Sequence, residues 1–491
     1  MLSNFLEVLV LVVYSGSLLF LFVYSLVQLH LTWSYVKKGR VQQSDSLPSP
    51  ENWPLVTIQL PIFNEPEVAA RLIKQTADIR YPGNRLEIQV LDDSTDHTPQ
   101  VVQETIKSLT TDISIKHIQR PSRKGFKAGA LSYGLQTAMG ELIAIFDADF
   151  MPGKDFLEKT VPHFNNAGIG VVQTRWGHLN QDYSLLTRTQ AFGLDAHFTV
   201  EQRGRNLEGC FVSFNGTAGI WRKQCIDEAG GWQSDTLTED LDLSYRAQLK
   251  GWRFVFLEDV VSPAELPITM GAYKSQQYRW NKGAAETHMK IWKEVTRAPL
   301  KLKVKFHALI QLMKGFGFVA SFLLSIASVP IIYFGAHSQG TKTMMHILSF
   351  TLICILILTA FYYASLQKIK PVKRERRNYF LRRFPSFIAI SMATACHNSM
   401  AVMEGYLGIK SPFVRTPKFN VVGTRKSKRL SVSFQQVSWL TLLEGLLAIY
   451  FAIAVYMGIQ WGQYTFVPFH LLMFAGYFFL FTYTFRSTEA T

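Results

Sequence analysis

Five long apolar runs set the outer limits on how this chain can fold. Residues 5–30 read FLEVLVLVVYSGSLLFLFVYSLVQLH, and comparable stretches occur near 308–334, 344–366, 439–461 and 465–485. A helix needs roughly 20 apolar residues to cross a bilayer, and each run is about that long. Between the first run and the second, about 53–295, no such run occurs, and most of the acids of the chain lie there. That middle segment is long enough to bury the core of one sizeable soluble domain. The expected organisation is an N-terminal transmembrane helix at 1–35, a soluble domain at 36–300, and a membrane region at 301–491 with about four spans and interfacial helices. The first run is too long for a cleaved signal and no small-residue site ends it, so it reads as an anchor.

The formal charge of +15 raises the question of nucleic acid, and its placement answers it. Lys37, Lys38 and Arg40 follow the first span, and Arg297, Lys301, Lys303 and Lys305 precede the second. The stretch KIKPVKRERRNYFLRR (368–383) follows the third span, and GIKSPFVRTPKFNVVGTRKSKR (408–429) precedes the fourth. The loops at 335–343 and 460–464 together hold one Lys and no Arg. Basic loops stay cytoplasmic. This predicts a cytoplasmic soluble domain, with anionic lipid headgroups rather than nucleic acid as the partner of the charge. Segment 386–407 is apolar but contains His397, Asn398 and Glu404 between two basic flanks, and it reads as an interfacial or re-entrant helix. That leaves five spans, the N-terminus outside and the C-terminus inside. Cys210, Cys225, Cys354 and Cys396 lack metal-site spacing and read as free thiols of a reducing compartment.

Within the soluble segment, PLVTIQLPIFNE (54–65) reads as a buried strand, and LEIQVLDDSTD (86–96), ISIKHIQR and ELIAIFDADF (141–150) read as three further strands. Helical patterns at about 67–79, 98–109 and 124–140 separate them. Strands alternating with helices imply an α/β fold with a parallel sheet. Ligands of such sheets gather at the carboxyl ends of strands, where two acidic clusters fall. FDADF places Asp147 and Asp149 two apart, on one side of an extended backbone. Two such carboxylates repel unless a cation lies between them, and hard oxygen ligands suit Mg²⁺ or Mn²⁺. In VLDDSTD, Ser94, Thr95 or Asp96 can cap the next helix. Asp92 and Asp93 exceed what a cap requires, and a carboxylate there can accept hydrogen bonds from a nucleobase or ribose. Lys127, between Gly125 and Gly129, offers a point charge where small residues allow a phosphate close approach.

SDTLTEDLDLSYRAQLKGW (234–252) puts Glu239 and Asp240 at the start of a helical pattern. The helix dipole alone favours acids there, and Thr238 could itself be the cap. The neighbours argue for more. FVSFNGTAGIWR (211–222) lies upstream, rich in small and aromatic residues, and YKSQQYRWNKG (273–283) lies downstream. Arg279 can clamp a diphosphate. Trp280 offers a face on which a sugar ring stacks. Gln276 to Trp280 also suit an amphipathic helix at a membrane surface, and both roles can hold together.

In order, Asp-Asp (92–93), D-A-D (147–149), T-E-D (238–240) and Q-Q-Y-R-W (276–280) resemble the processive family-2 glycosyltransferases: cellulose synthases and the plant cellulose-synthase-like mannan and glucan synthases. FNGTAG and GFKAGAL look closer to the cellulose-synthase-like mannan and xyloglucan-backbone enzymes than to bacterial cellulose synthase. FVRTPK (413–418) is similar to the gating-loop motif F-x-V-T-x-K, with Arg415 where Val is usual. The resemblance implies a GT-A-type parallel-sheet glycosyltransferase domain inserted between transmembrane helices. It implies inverting transfer of hexose from UDP-glucose or GDP-mannose to a growing β-1,4-linked polysaccharide coupled to export, with a non-processive glycolipid-making transferase as the rival. Carried over by position, Asp92 or Asp93 contacts the base or ribose. Lys127, Gln276 and Arg279 meet the nucleotide sugar, Asp147 and Asp149 serve the diphosphate and a Mg²⁺ or Mn²⁺ ion, and Asp240 is the catalytic base. Phe214, Asn215, Gly216, Thr217, Glu239 and Trp280 lie beside the acceptor. The membrane would be a bacterial plasma membrane or the Golgi.

Overall fold

A computed structural model describes residues 2–39, 50, 52–411, 414–423 and 439–489. Among the described residues, five helical segments are long and apolar enough to cross a membrane: Asn4–Lys38, Leu302–His337, Gln339–Ile369, Trp439–Gln460 and Val467–Thr484. They coincide with the five apolar runs. The polar-interrupted segment around His397 forms two helices, Lys373–Ala393 and Ala395–Tyr406, bent by 47° at the break between them. This is the shape of a broken span or of a re-entrant turn. The shorter helix packs against the long helix Met270–Arg297, which leads out of the soluble domain.

The soluble domain is built on a seven-stranded sheet: β1 (Val56–Ile62), β2 (Leu86–Asp92), β3 (Ser114–Gln119), β4 (Leu142–Ile145), β5 (Ile169–His178), β6 (Gly219–Arg222) and β7 (Arg253–Ala264). Their order across the sheet is β3-β2-β1-β4-β6-β5-β7. The first four strands are mutually parallel, as the strand–helix alternation implies. The departure is β6, which runs antiparallel to both β4 and β5. A parallel strand needs a crossover back to the far edge. After β5 the chain instead stays at the carboxyl edge, forming helices Leu185–Ala196 and Gln202–Leu207 before β6 sets off from there. The sheet is therefore mixed.

Both faces of the sheet are covered. One face packs Val56, Ile58, Leu60, Ile88 and Val90 against Val68, Leu72 and Ile73 of helix Pro66–Ala77. That helix follows from its sequence: Pro66 stands where a missing N–H costs nothing, and apolar residues recur on one face. The other face packs Ile143, Ile145 and Trp221 against Ala128 and Leu131 of helix Phe126–Thr137 and Leu243 and Ala247 of helix Glu239–Leu249. Each such buried aliphatic side chain contributes about 1.5–3 kcal/mol. The consequence for function is positional. Register pairs Ile62 with Asp92 and Gln59 with Ile145, so the chain leaves β1, β2 and β4 along one edge. Pairing Ile145 with Gly219 brings the loop before β6 to that same edge.

Candidate active site

Beyond β4 the side chains alternate. Phe146 and Ala148 are buried in the core, so Asp147 and Asp149 turn the other way, into a cavity of about 210 Å³ at the carboxyl edge of the sheet. The Asp147 backbone N–H donates to Thr217 Oγ1 at 2.9 Å. Its carboxylate accepts from Lys127 Nζ at 2.5 Å, and the same ammonium donates to the Gly216 carbonyl at 2.8 Å. Burial works to lower the Lys127 pKa, but the charges of Asp147, Glu239 and Asp240 outweigh it and the net shift is upward. Asp149 Oδ2 accepts from Lys418 Nζ at 2.7 Å.

The T-E-D segment forms the first turn of helix Glu239–Leu249. Thr238 occupies the cap position but makes no side-chain cap bond; its hydroxyl lies 3.2 Å from that of Thr287 on helix Met270–Arg297. The two elements are pressed together at Gly283, where a Cβ would come within 2.6 Å of Thr238. The acids then divide. Asp242 is fully buried and holds Arg246 at 2.7 Å and Lys290 at 3.0 Å, a structural assignment. Glu239 and Asp240 line the cavity. Asp240 Oδ1 accepts the Leu241 N–H at 2.8 Å. Burial, and then the charge of Glu239, raise the Asp240 carboxyl to about 7, and burial raises Glu239 as well.

Gly216 fixes the spacing of these groups. Its φ is +78°, and a Cβ there would stand 3.0 Å from Asp240 Oδ2 and 3.4 Å from Lys127 Nζ. A Gly216→Ala substitution is expected to cost about 1–2 kcal/mol for the left-handed backbone and to push the Asp240 carboxylate out of place. Thermal unfolding should register the first effect and turnover the second, as a loss of at least about tenfold.

Helix Met270–Arg297 supplies the remaining wall. Gln276, Arg279 and Trp280 fall at i, i+3 and i+4, hence on one face, and all three line the cavity. Arg279 donates to Thr416 Oγ1 at 3.1 Å. The segment similar to a gating loop lies over the cavity: Arg415 donates to the carbonyls of Phe63 and Asn64, and Arg415, Thr416 and Lys418 line it. Phe413 of that motif lies outside the described residues.

Three of the residues singled out from sequence are not on the cavity. Asp92, the last residue of β2, is 2% exposed and accepts from the Ser94 N–H at 2.9 Å and pairs with His117 at 2.8 Å. Its neighbour Asp93, one step on and therefore on the other side, lines the cavity and is held by Arg120 at 2.9 Å. The carboxylate that takes the N–H at the start of the next helix is Asp96, which accepts from Thr98 N at 2.9 Å. Phe214 is buried edge-on against Trp221. Thr217 is buried and holds the Asp147 backbone, so it acts behind the wall rather than on it. Asn215 and Gly216 do line it.

Sequence reading missed Glu65, Arg123, Trp176, His178 and Glu265, which also line the cavity. Burial pushes the Glu65 carboxyl up to about 7. The strand-end logic that singled out Asp93 and Asp147 reaches Glu65, three residues past β1, and Trp176 and His178, at the end of β5. The last two escaped because their strand was not recognised.

No cluster of three or more His, Cys, Asp or Glu side chains poised to hold a metal occurs among the described residues. That does not disqualify Asp147 and Asp149. Mg²⁺ characteristically takes only one or two protein carboxylates and completes its shell with water and substrate phosphate. Two hard carboxylates beside a cavity with five cationic side chains, Arg123, Lys127, Arg279, Arg415 and Lys418, fit an ion that arrives with a diphosphate.

Residues 54–283 match the family described as "Glycosyltransferase like family 2". Among curated relatives, glucomannan 4-beta-mannosyltransferase 2 of Arabidopsis thaliana is 44% identical over 274 residues, 55% of this chain and 51% of that protein. Glucomannan 4-beta-mannosyltransferase 1 of Oryza sativa subsp. japonica is 44% identical over 254 residues, 50% of this chain and 48% of that protein. The chain thus spans about half the length of the curated relatives it matches. A solved mannosyltransferase of Pyrobaculum calidifontis, in complex with GDP-Man and Mn2+, shares the fold at a TM-score of 0.54 and 19% identity, covering 74% of this chain and 100% of that one.

Proposed function

We propose that residues 54–283, which match the family-2 glycosyltransferase model, form a glycosyltransferase domain of GT-A type, and that the chain is a membrane-bound inverting hexosyltransferase extending a β-1,4-linked polysaccharide, with the domain on the cytoplasmic side. Mannose is the favoured hexose and GDP-mannose the favoured donor, because the relatives at 44% identity are 4-beta-mannosyltransferases. One observation carries the reading: Asp240, the Asp147/Asp149 pair and the Arg279–Trp280 pair, distant in sequence, line a single cavity.

The chemistry follows from where the charges sit. Asp240 takes the proton of the acceptor hydroxyl as its oxygen attacks the anomeric carbon. The bond from that carbon to the diphosphate oxygen breaks on the opposite face, which inverts the configuration and needs no covalent nucleophile. Lys127 and Arg279 stand where negative charge develops on the leaving diphosphate, and fixed charges in a water-poor site stabilise it well. Asp149, with Asp147 beside it, would hold a Mn²⁺ or Mg²⁺ ion that neutralises the same charge. Trp280 gives the acceptor ring an apolar face. Asp93 is better placed for the ribose or base than Asp92, which is enclosed by His117 and Ser94.

Membranes carrying the protein, supplied with Mn²⁺ and labelled GDP-mannose or UDP-glucose, test this directly. The expected product is a polymer of high mass that a β-mannanase degrades. A single sugar on lipid, or no turnover of either donor, would overturn the reading. The same assay has a predicted pH course. A general base acts only when ionised, and the Asp240 carboxyl is raised to about 7. Turnover should therefore rise about tenfold per unit below that value and level off above it.

A further inference from the structure

Two residues of the cavity wall have polar atoms that the scheme above leaves unused. Trp176 and His178 lie two apart at the end of β5 and so project to the same side. Gly177 between them faces the other way, where a Cβ would come within 2.8 Å of Val261 Cγ1. Both Trp176 and His178 line the cavity. The Trp176 ring lies 6.4 Å from that of Trp280, and its indole nitrogen is buried with no hydrogen-bond partner among the described residues. His178 pairs through Nε2 with Asp195 Oδ1 at 3.0 Å, each side chain only 5% exposed. Its other nitrogen, Nδ1, has no hydrogen-bond partner among the described residues.

The pairing decides what His178 can do. A buried carboxylate accepts, so the Nε2 of a neutral ring beside it carries the proton and Nδ1 presents a lone pair. With the ring neutral, the wall therefore holds an acceptor on His178, beside the aromatic rings of Trp176 and Trp280. A pyranose answers both features: an apolar face for the rings, and a hydroxyl that donates to the nitrogen.

We propose that His178, oriented by Asp195, accepts a hydrogen bond from a hydroxyl of the terminal hexose of the acceptor and selects which of its hydroxyls faces Asp240. This assignment rests on the glycosyltransferase reading and names residues for its acceptor side. His178 touches the substrate, whereas Asp195 acts through His178 as a positioning residue.

The test separates contact with the sugar from internal support. In His178→Gln the amide reaches the place of Nε2, which keeps the bond to Asp195 and loses the acceptor on the cavity. In His178→Asn the amide oxygen stands near Nδ1, which keeps the cavity acceptor and loses the bond to Asp195. With full-length protein, labelled GDP-mannose and mannotetraose as the acceptor probe, KM for each substrate is measured. His178→Gln is expected to raise the acceptor KM about five- to tenfold, the value of one neutral hydrogen bond, and to move the donor KM less than twofold. His178→Asn should recover at least half of the lost acceptor affinity. Asp195→Leu should raise the acceptor KM, and combining it with His178→Gln should add little further. An unchanged acceptor KM in His178→Gln, a larger change in the donor KM, or a worse result for Asn than for Gln would each overturn the assignment. Those outcomes leave wild-type polymer synthesis intact. Wild-type protein that turns over neither GDP-mannose nor UDP-glucose would instead overturn the glycosyltransferase reading and this assignment with it.

Discussion

The Asp240→Asn protein is expected to transfer hexose about 10²–10⁴ times more slowly than the parent, the usual worth of a positioned general base. Asn fills the same space and its carbonyl oxygen can still accept the Leu241 N–H that Asp240 accepts at 2.8 Å. The donor KM should therefore change little while turnover collapses. Stability should move the opposite way. The folded protein holds this carboxyl at about 7, well above its ordinary value of 3.8, because burial and Glu239 disfavour its charge. Its contribution to stability is therefore full below pH 3.8 and is lost as pH rises through about 7. An amide does not ionise, so at pH 8 the Asn protein should melt at the same temperature as the parent or higher. Turnover and thermal unfolding measured together at pH 8 give the check. Parent-like turnover would remove Asp240 from the mechanism.

Asp149→Asn is the second large effect. A neutral amide at this position is a poor ligand for a hard cation, and the stabilisation of leaving-group charge that would be lost is typically worth about 10²–10³ in turnover. The Mn²⁺ concentration needed for half-maximal rate should rise as well. Breaking a buried ion pair is commonly costly, at about 3–5 kcal/mol. Here the partner, Lys418, sits on the loop over the cavity rather than on the sheet, and the carboxylates of Glu65 and Glu265 still face its ammonium. Folding should therefore suffer far less than catalysis. Lys418→Gln provides the contrast. It removes the same 2.7 Å ion pair but leaves both carboxylates, so the rate should retain its steep dependence on Mn²⁺. If Asp149→Asn retains that dependence too, the metal lies elsewhere.

Much of the domain was legible because local chemistry and global fold agree. β1, β2, β3 and β4 begin and end within a few residues of the segments read as strands, since aliphatic residues recur along them, at every second position in β1 and β2, and polar or turn residues bound them. The helix Pro66–Ala77 carries its own start signal and one apolar face. β6 was not legible. GIWR is four residues long, and its direction depends on where the chain has already been taken by the two helices after β5. β5 escaped for a related reason: its last residues are only partly buried because they become cavity wall. That also hid Trp176 and His178, whose alternation carries meaning only once the strand is known.

Choosing between adjacent acids was likewise beyond the chain order. Asp92 and Asp93 are the same residue type at neighbouring positions. His117 on β3 and Arg120 just beyond it decide which carboxylate is enclosed and which stands at the cavity. Asp240 and Asp242 are separated in the same way, by Arg246 and Lys290 closing on Asp242.

By itself the amino-acid order determined that apolar helices bracket an α/β domain, and that acids leave its strands at one edge. Periodicity and run length are local properties, set by burial and backbone geometry within ten or twenty residues. Only the tertiary structure decided that residues from 61 to 418 share one cavity, which carboxylates face it, and that a histidine held by an aspartate stands in its wall. Those outcomes depend on which side chains meet across hundreds of residues, and burial at such meetings, rather than residue type, sets whether a carboxylate acts as a base, a ligand or a strut.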